Sequence, residues 1–459
     1  MTAPSSVGDP GRLHSMGTMR IGSTPLAIVL SCCATAAGAQ SQTPPGQVAA
    51  EHVEVAESLL TPTVDASGTS WQPRATPMFG VHRGWKGWDL RLDGSVVLQW
   101  IAEPGDRHRT GGAAEFQLGS RNWGMVAARR GVGRGRMGLR GMLSAEPATL
   151  RDCGALSFLS VGEVCDGDTI HDRDQPHDLV MELAVDYDRP LHRAWRWQIY
   201  AGLAGPPAFG PPASPHRPSA AGSPLAPFTH HWLDPMNAFG VVTTGIHDRR
   251  WKAEVSAFNS RAPDERRTDL DLGGLDAMAA RVSYLPTDRL AVQVSAARMR
   301  EAWGAFAQPP DPPVTRVSAS IVHHRPLGMT GLWASTVAVG LSRGREQIPG
   351  GVFDTANGAV LAETSVTVGG RHETFGRVEL AGMPAHHLHA HEFAQSVFPV
   401  GKIQAGYTRL LRPRHGLVFG VGATASIALL PPELAPRYGG RAAPGVATFV
   451  SLRPSSHTM

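Results

Sequence analysis

From Leu90 onward the chain alternates. Leu90, Leu92, Val96, Leu98 and Trp100 are apolar, and Arg91, Asp93, Ser95 and Gln99 between them are polar. A period of two puts the apolar side chains on one face of an extended strand and the polar ones on the other. The pattern returns at Leu179, Met181, Leu183, Val185 and Tyr187 against Glu182, Ala184 and Asp186. It returns again at Trp195, Trp197, Ile199 and Leu203, at Trp251, Ala253, Val255 and Ala257, and at Leu290, Val292, Val294 and Ala296. Another copy is Leu417, Phe419, Val421, Ala423 and Ala425. About sixteen such segments of roughly ten residues result, the length a tilted strand needs to cross a bilayer.

The connections between segments come in two alternating kinds. Tight turns are expected near 131–135, 189–193, 247–249, 286–289, 325–331, 369–373 and 412–414. Longer loops are expected at 148–177, 206–238, 260–277, 302–313, 345–358, 384–399 and 430–443. Together these predict an all-β fold, an up-and-down antiparallel transmembrane β-barrel with short periplasmic turns and long external loops. A soluble β-sandwich alternates in the same way, but it gives no reason for connection lengths to alternate, and the greasy faces exceed what one sandwich core needs. Trp100, Trp195, Trp251, Trp333 and Tyr407 stand at segment ends, where interfacial girdles are expected. Five tyrosines are few for such girdles, and the chain runs on from Phe449 to Arg453 instead of stopping on an aromatic.

The start of the chain reads differently. Arg20, the apolar run from Pro25 to Leu30 and the small residues Ala37-Gly38-Ala39 form a secretory signal peptide spanning 1–39, with Met16 or Met19 the better start and 1–18 superfluous. Cys32 and Cys33 fall inside it, but Leu30 occupies a position where lipidation wants a small residue. Residues 40–87 read as a flexible periplasmic lead-in and 88–459 as the barrel. No later stretch offers about 18 consecutive apolar residues, so no transmembrane helix is predicted. In an oxidising compartment Cys153 and Cys165 suit a disulfide, two free thiols being the alternative.

Composition changes this picture little. Hydrophobic residues make up 42% and charged residues 18%, which excludes disorder, while 52 glycines and 37 prolines favour many turns. The net charge of +4 rests on arginine, lysine occurring only at 86, 252 and 402. The cations are scattered without aromatic partners, so nucleic acid is not an expected partner. Arg91, Arg196, Arg298, Arg316 and Arg377 are expected to face inward and bias a lumen towards anions.

Candidate chemistry centres on histidine. His386, His387, His389, His391 and Glu392 share one expected external loop, where flexible imidazoles could hold Cu, Zn or Ni, although a solvated polar loop reads equally well. His216, Arg217, His230, His231, Trp232 and Asp234 belong to a long Pro-rich loop whose apolar content suggests that it folds into the lumen and narrows it. Arg173, Asp174, His177 and Asp178, and Asp264 to Arg267, read as rim ion pairs. No Gly-x-Ser-x-Gly elbow or paired-histidine helix motif occurs, so no enzyme activity is expected.

The stretches Gly141-Met142-Leu143-Ser144-Ala145-Glu146-Pro147, Asp172 to Asp178 into Met181-Glu182-Leu183, Pro215-His216-Arg217-Pro218-Ser219-Ala220, His230-His231-Trp232 and Gly240-Val241-Val242-Thr243 resemble a family of uncharacterised bacterial proteins predicted to be outer-membrane β-barrels. The resemblance covers Trp88 to about Arg298. It implies a barrel in the outer membrane and carries no known activity. Where that family usually has His-Pro-His-Asp, this chain has Gln175-Pro176-His177-Asp178, so one potential ligand is missing. The expectation is a porin-like channel for small solutes, set in outer-membrane lipid and inserted by the barrel-assembly machinery. The alternatives are a barrel-anchored surface metal-binding or metal-resistance protein and a secreted soluble β-protein. An energised receptor is disfavoured, because 40–87 is too short for a plug domain.

Overall fold

The computed structural model describes residues 64–105, 113–235, 237–300, 313–348, 351–393 and 396–457. The expected signal peptide, Cys32, Cys33, residues 40–63 and the side chain of His391 lie outside the described residues.

Twenty-one strands form: β1 Met78–Phe79, β2 Val81–Trp85, β3 Trp88–Glu103, β4 Glu115–Val132, β5 Gly135–Leu143, β6 Ala155–Cys165 and β7 Asp168–Asp174. Then come β8 Val180–His192, β9 Trp195–Ala204, β10 Val241–His247, β11 Trp251–Phe258, β12 Ala277–Thr287, β13 Leu290–Arg300 and β14 Pro313–Leu327. The last are β15 Gly331–Ile348, β16 Gly351–Val368, β17 His372–Pro384, β18 Val397–Leu410, β19 Leu417–Leu429, β20 Ala442–Pro454 and β21 Ser456–His457. Sixteen of them, β3, β4, β5 and β8 to β20, form a closed antiparallel ring, which β20 seals by pairing with β3 from Val446↔Ala102 to Leu452↔Val96. β2 folds back on the start of β3, β1 pairs with β21, and β6 and β7 make a separate hairpin. Because the strands close a ring, a two-sheet sandwich is ruled out.

The alternation sets which way each side chain points. Leu98, Leu183, Val185, Trp251, Val255, Val294 and Phe419 are exposed on the outside, and the intervening Gln99, Glu182, Asp186, Lys252, Glu254, Gln293 and Thr424 are buried inside. One rim carries only short turns; we call it the turn end, and the opposite rim the loop end. Trp195, Trp251 and Trp333 open their strands at the turn end, where Trp251 stacks on Tyr284 at 4.1 Å between ring centres. Near the loop end Trp100 stacks on Phe116 at 5.8 Å.

Four expectations need correction. Residues 345–358 are not a loop: β15 and β16 stay paired up to Ile348↔Gly351. Gly344 and Gly351 hold backbone at φ +155° and +139° inside this ladder, where a side chain would be strained. The connection 104–114 between β3 and β4 is an extra long one. Arg298 sits on the outward face with Val294 and Ala296, since its parity is opposite to that of the buried Ser295 and Ala297. Finally, the lead-in does not stay free through residue 87: 64–77 run against the inner wall and 81–85 form β2.

Candidate functional site

The interior of the ring is furnished by two segments. The first, 205–240, leaves β9 and returns as β10, its ends tied by reciprocal backbone hydrogen bonds between Gly205 and Ala238 at 3.1 and 3.0 Å. Its prolines forbid a ladder, so its polar groups find partners on the wall. Arg217 Nε donates to Glu363 Oε1 at 2.8 Å, and its Nη1 donates to Asp234 and, at 2.8 Å, to the Pro212 carbonyl. Glu363 also accepts from Ser219 Oγ at 2.9 Å and from Arg377 Nε at 3.1 Å. Thr229 donates its N–H and hydroxyl to Glu379 at 3.1 and 2.8 Å, and Trp232 Nε1 donates to Asn357 Oδ1 at 2.7 Å. Burial works against the Arg217 charge, but the carboxylates of Asp234 and Glu363 outweigh it and hold its pKa above the usual arginine value.

The second segment is 64–77. Arg140 Nη1 donates to the Gly68 carbonyl at 2.6 Å, Lys252 to the Thr69 carbonyl, and Arg281 Nη2 to Thr69 Oγ1 at 3.1 Å. Gly68 has φ +52°, and an added Cβ would meet the Pro206 ring at 2.5 Å. The two segments touch there, and Ala213 N–H donates to Ser67 Oγ at 2.9 Å. Asp65 lies 3.6 Å from Lys252 and 3.7 Å from Arg129. Burial raises its pKa, but these cations prevail and the net shift is downward.

Of the cavities inside the ring, two run along β3, β4 and β5 and share lining residues. The one towards the turn end measures about 410 Å³ and is lined by Arg91, Trp123, Met125, Arg129, Arg140 and Arg217 among others. The one towards the loop end measures about 210 Å³ and is lined by His230, His231, Asp174, Asp178, Met142, Met181 and Met299 among others. Both share Arg121, His177, Ser214, Pro215, His216 and Ala226 as lining. His216 lies over Trp123 with ring centres 5.1 Å apart. Burial, and after it the charges of Arg91, Arg140 and His177, push the His216 pKa down to about 3, so the ring is neutral near pH 7. His177 donates its backbone N–H to Glu146 at 3.0 Å, and its Nδ1 stands 2.9 Å from the same carboxylate. Burial raises the Glu146 pKa, but His177 and Arg121 win and hold it at about 2. Burial lowers that of His177, but Glu146 wins and raises it.

No family model matches the chain, and no curated protein matches it in sequence. Solved structures do. The outer membrane channel DcaP of Acinetobacter baumannii aligns at 10% identity over 82% of this chain and 100% of its own, with a TM-score of 0.47. OprB of Pseudomonas putida aligns at 10% identity over 81% and 94%, with a TM-score of 0.47. An anion-selective porin from Comamonas acidovorans aligns at 11% identity over 80% and 99%, with a TM-score of 0.44.

The remaining candidate residues fall apart into separate places. His386 and His387 are buried in the loop after β17; His386 stacks on Phe353 at 4.6 Å, and His387 stands 5.8 Å from His231. His389 turns to the β6–β7 hairpin, 2.9 Å from Thr169 Oγ1 and with its ring 4.1 Å from His171. Among the described residues, no three ligand atoms of this group come within 4.8 Å of one another. His230 Nδ1 meets the Pro227 carbonyl at 2.7 Å, and His231 Nε2 meets Arg316 at 2.9 Å. A disulfide joins Cys153, just before β6, to Cys165 at the end of that strand. Arg267 pairs with Glu163 and with Asp178, and Arg173 with Glu115 at 2.9 Å, tying the loops together. Burial and the charge of Glu163 raise Asp178 to about 7 in spite of Arg267.

Sequence reasoning overlooked Arg121, Trp123 and Glu146. Extending the alternation from Phe116 and Leu118, both outward, would have turned Arg121 and Trp123 inward. Glu146 lies in a four-residue helix, Glu146–Thr149, and no periodic signal marks it.

Proposed function

We propose that this chain is an outer-membrane barrel that passes small solutes, with a lumen narrowed by the 205–240 segment and biased towards anions. The observation that carries the reading is the pair of cavities sharing His216, His177 and Arg121 as lining, which describes a continuous but throttled route along one wall. The membrane setting rests on the outward faces of the strands: Leu118, Met278 and Leu341 are 69%, 68% and 67% exposed, and a continuous apolar belt of this kind is suited to lipid. The short turns then face the periplasm and the long loops the exterior. Inward Arg91, Arg316 and Arg377 supply the anion bias. The test is fractionation of expressing cells with heat-modifiability on a gel, followed by bilayer recording in a KCl gradient. A heat-modifiable outer-membrane protein with a chloride-leaning reversal potential is expected. A soluble protein, or an inserted one without conductance, would sink the proposal.

A second reading is favoured by the loop-end cavity, which gathers His177, His216, His230 and His231 with Met142, Met181 and Met299. Imidazole and thioether are ligands for copper, and this route would admit or hold such an ion. Calorimetric titration with Cu(II) and Zn(II), repeated on His230→Ala/His231→Ala, separates it from the first: heat of binding lost in the double variant favours the metal.

A further inference from the structure

We propose that the turn-end cavity is a binding site for a small organic monocarboxylate, one negative charge on an apolar body. The inference deepens the channel reading and rests on it only for the route by which the ligand arrives. Three arginines that line this cavity each keep one buried guanidinium nitrogen, Arg91 Nε, Arg140 Nε and Arg217 Nη2, with no hydrogen-bond partner among the described residues. Arg140 and Arg217 are 7% and 1% exposed. A buried N–H without an acceptor is costly, and groups left so in one cavity mark where an acceptor-rich ligand fits.

Other nitrogens of these arginines are already matched: Arg91 Nη2 with Asp93 at 3.4 Å, Arg140 Nη2 with Asp186 at 3.4 Å, and Arg217 Nη1 and Nε with Asp234 and Glu363. The spare capacity is therefore in donors more than in net charge, which suits one carboxylate, an acceptor with two oxygens, better than a multiply charged phosphate. The carboxylates of Asp65, Asp89, Asp93 and Glu146 also line the cavity, outnumbered by its arginines, and part of the remaining lining is apolar. Trp123, Met125, Leu225 and Pro218 provide the surface on which a hydrocarbon or aromatic body would lie, and about 410 Å³ falls within the size range of small-ligand sites.

Saturation-transfer NMR on the detergent-folded full chain tests this, with benzoate, its neutral counterpart benzyl alcohol and inorganic phosphate as probes. Benzoate is expected to saturate, benzyl alcohol and phosphate to bind at least tenfold more weakly, and Arg91→Gln to weaken benzoate at least tenfold. Arg91 is partly exposed, so that variant is expected to fold, which heat-modifiability checks; Trp123→Ala, which removes part of the apolar surface, is a second variant with the same expected loss. Equal binding of benzoate and phosphate, no saturation, or unchanged affinity in both variants would overturn the site. Conductance is measured separately: current without benzoate binding fails the site and keeps the channel, whereas benzoate binding without current does the reverse.

Discussion

The two sides of the lumen are built differently. From β11 to β18 the inner wall is bonded to the inserted segments through buried charges: Lys252 and Arg281 hold the 64–77 segment at Thr69, and Glu363, Arg377 and Glu379 hold the 205–240 segment. From β3 to β5 the wall faces the two cavities; Arg140 reaches the Gly68 carbonyl, but Arg91 Nε and Arg140 Nε keep unfilled donors among the described residues. The difference teaches that polarity inside a barrel has two uses. Where charged groups reach a facing segment they weld it to the wall; where they border open space, they leave a surface able to receive something.

The bluntest way to break this contrast is to replace 209–235 with a short Gly-Ser linker. Single-channel conductance should rise roughly fivefold or more, because a sixteen-strand ring relieved of its longer insert, with only 64–77 left against the wall, holds a wider water-filled lumen. Unchanged conductance would mean that the inserted segment is not the throat.

Next in size is Glu363→Ala, which strands two buried guanidinium groups. A loss of about 3–5 kcal/mol is expected, against under about 1 kcal/mol for Arg91→Ala on the open side. Denaturant midpoints in micelles check this, and equal losses would erase the distinction between the two sides.

Removing the disulfide by Cys153→Ser should cost up to about 3 kcal/mol, confined to a short loop. Hydrogen exchange should quicken in 155–174 and stay slow in the wall strands; global exchange would show that the hairpin supports the ring.

The smallest effect is expected from pH. Glu146 has its pKa lowered, so its contribution is full above the ordinary carboxylate range and fades as pH falls towards about 2. His177 has its pKa raised, so its contribution is full below the ordinary histidine value and fades as pH climbs through the raised one. The contact is therefore firmest from roughly pH 4.5 to 6.5. A His177 ring resonance titrating at its ordinary value, without response to Glu146→Gln, would contradict the pairing.

How much of this was legible in the sequence follows from physics. A strand in a closed ring has one face to the outside and one to the inside, so Leu183 against Glu182 or Val255 against Glu254 reads directly from the period of two. The turns are equally legible, because a reversal needs particular residues. The inserted segments have no such period. Their course is set by long-range pairings such as Arg217 with Glu363, and nothing local in Thr69 tells that Arg281 will reach it. The histidine run shows the converse hazard: spacing grouped His387 and His389, but the backbone turns between them, with His389 at φ +51°, and sends the rings to different neighbours.

The segment beginning at Val64 also constrains the order of events in folding. Its partners Lys252 and Arg281 are 183 and 212 residues downstream of Thr69, and Ala213 is 146 residues from Ser67. None of those bonds can form until the middle of the chain has taken its place, and pairings so distant in sequence form slowly. The first described residues are thus among the last to settle. Closure of the ring spans a greater distance still, Leu452 meeting Val96, so this segment can be laid against β11 and β12 before the last seam is made and be enclosed as the ring shuts.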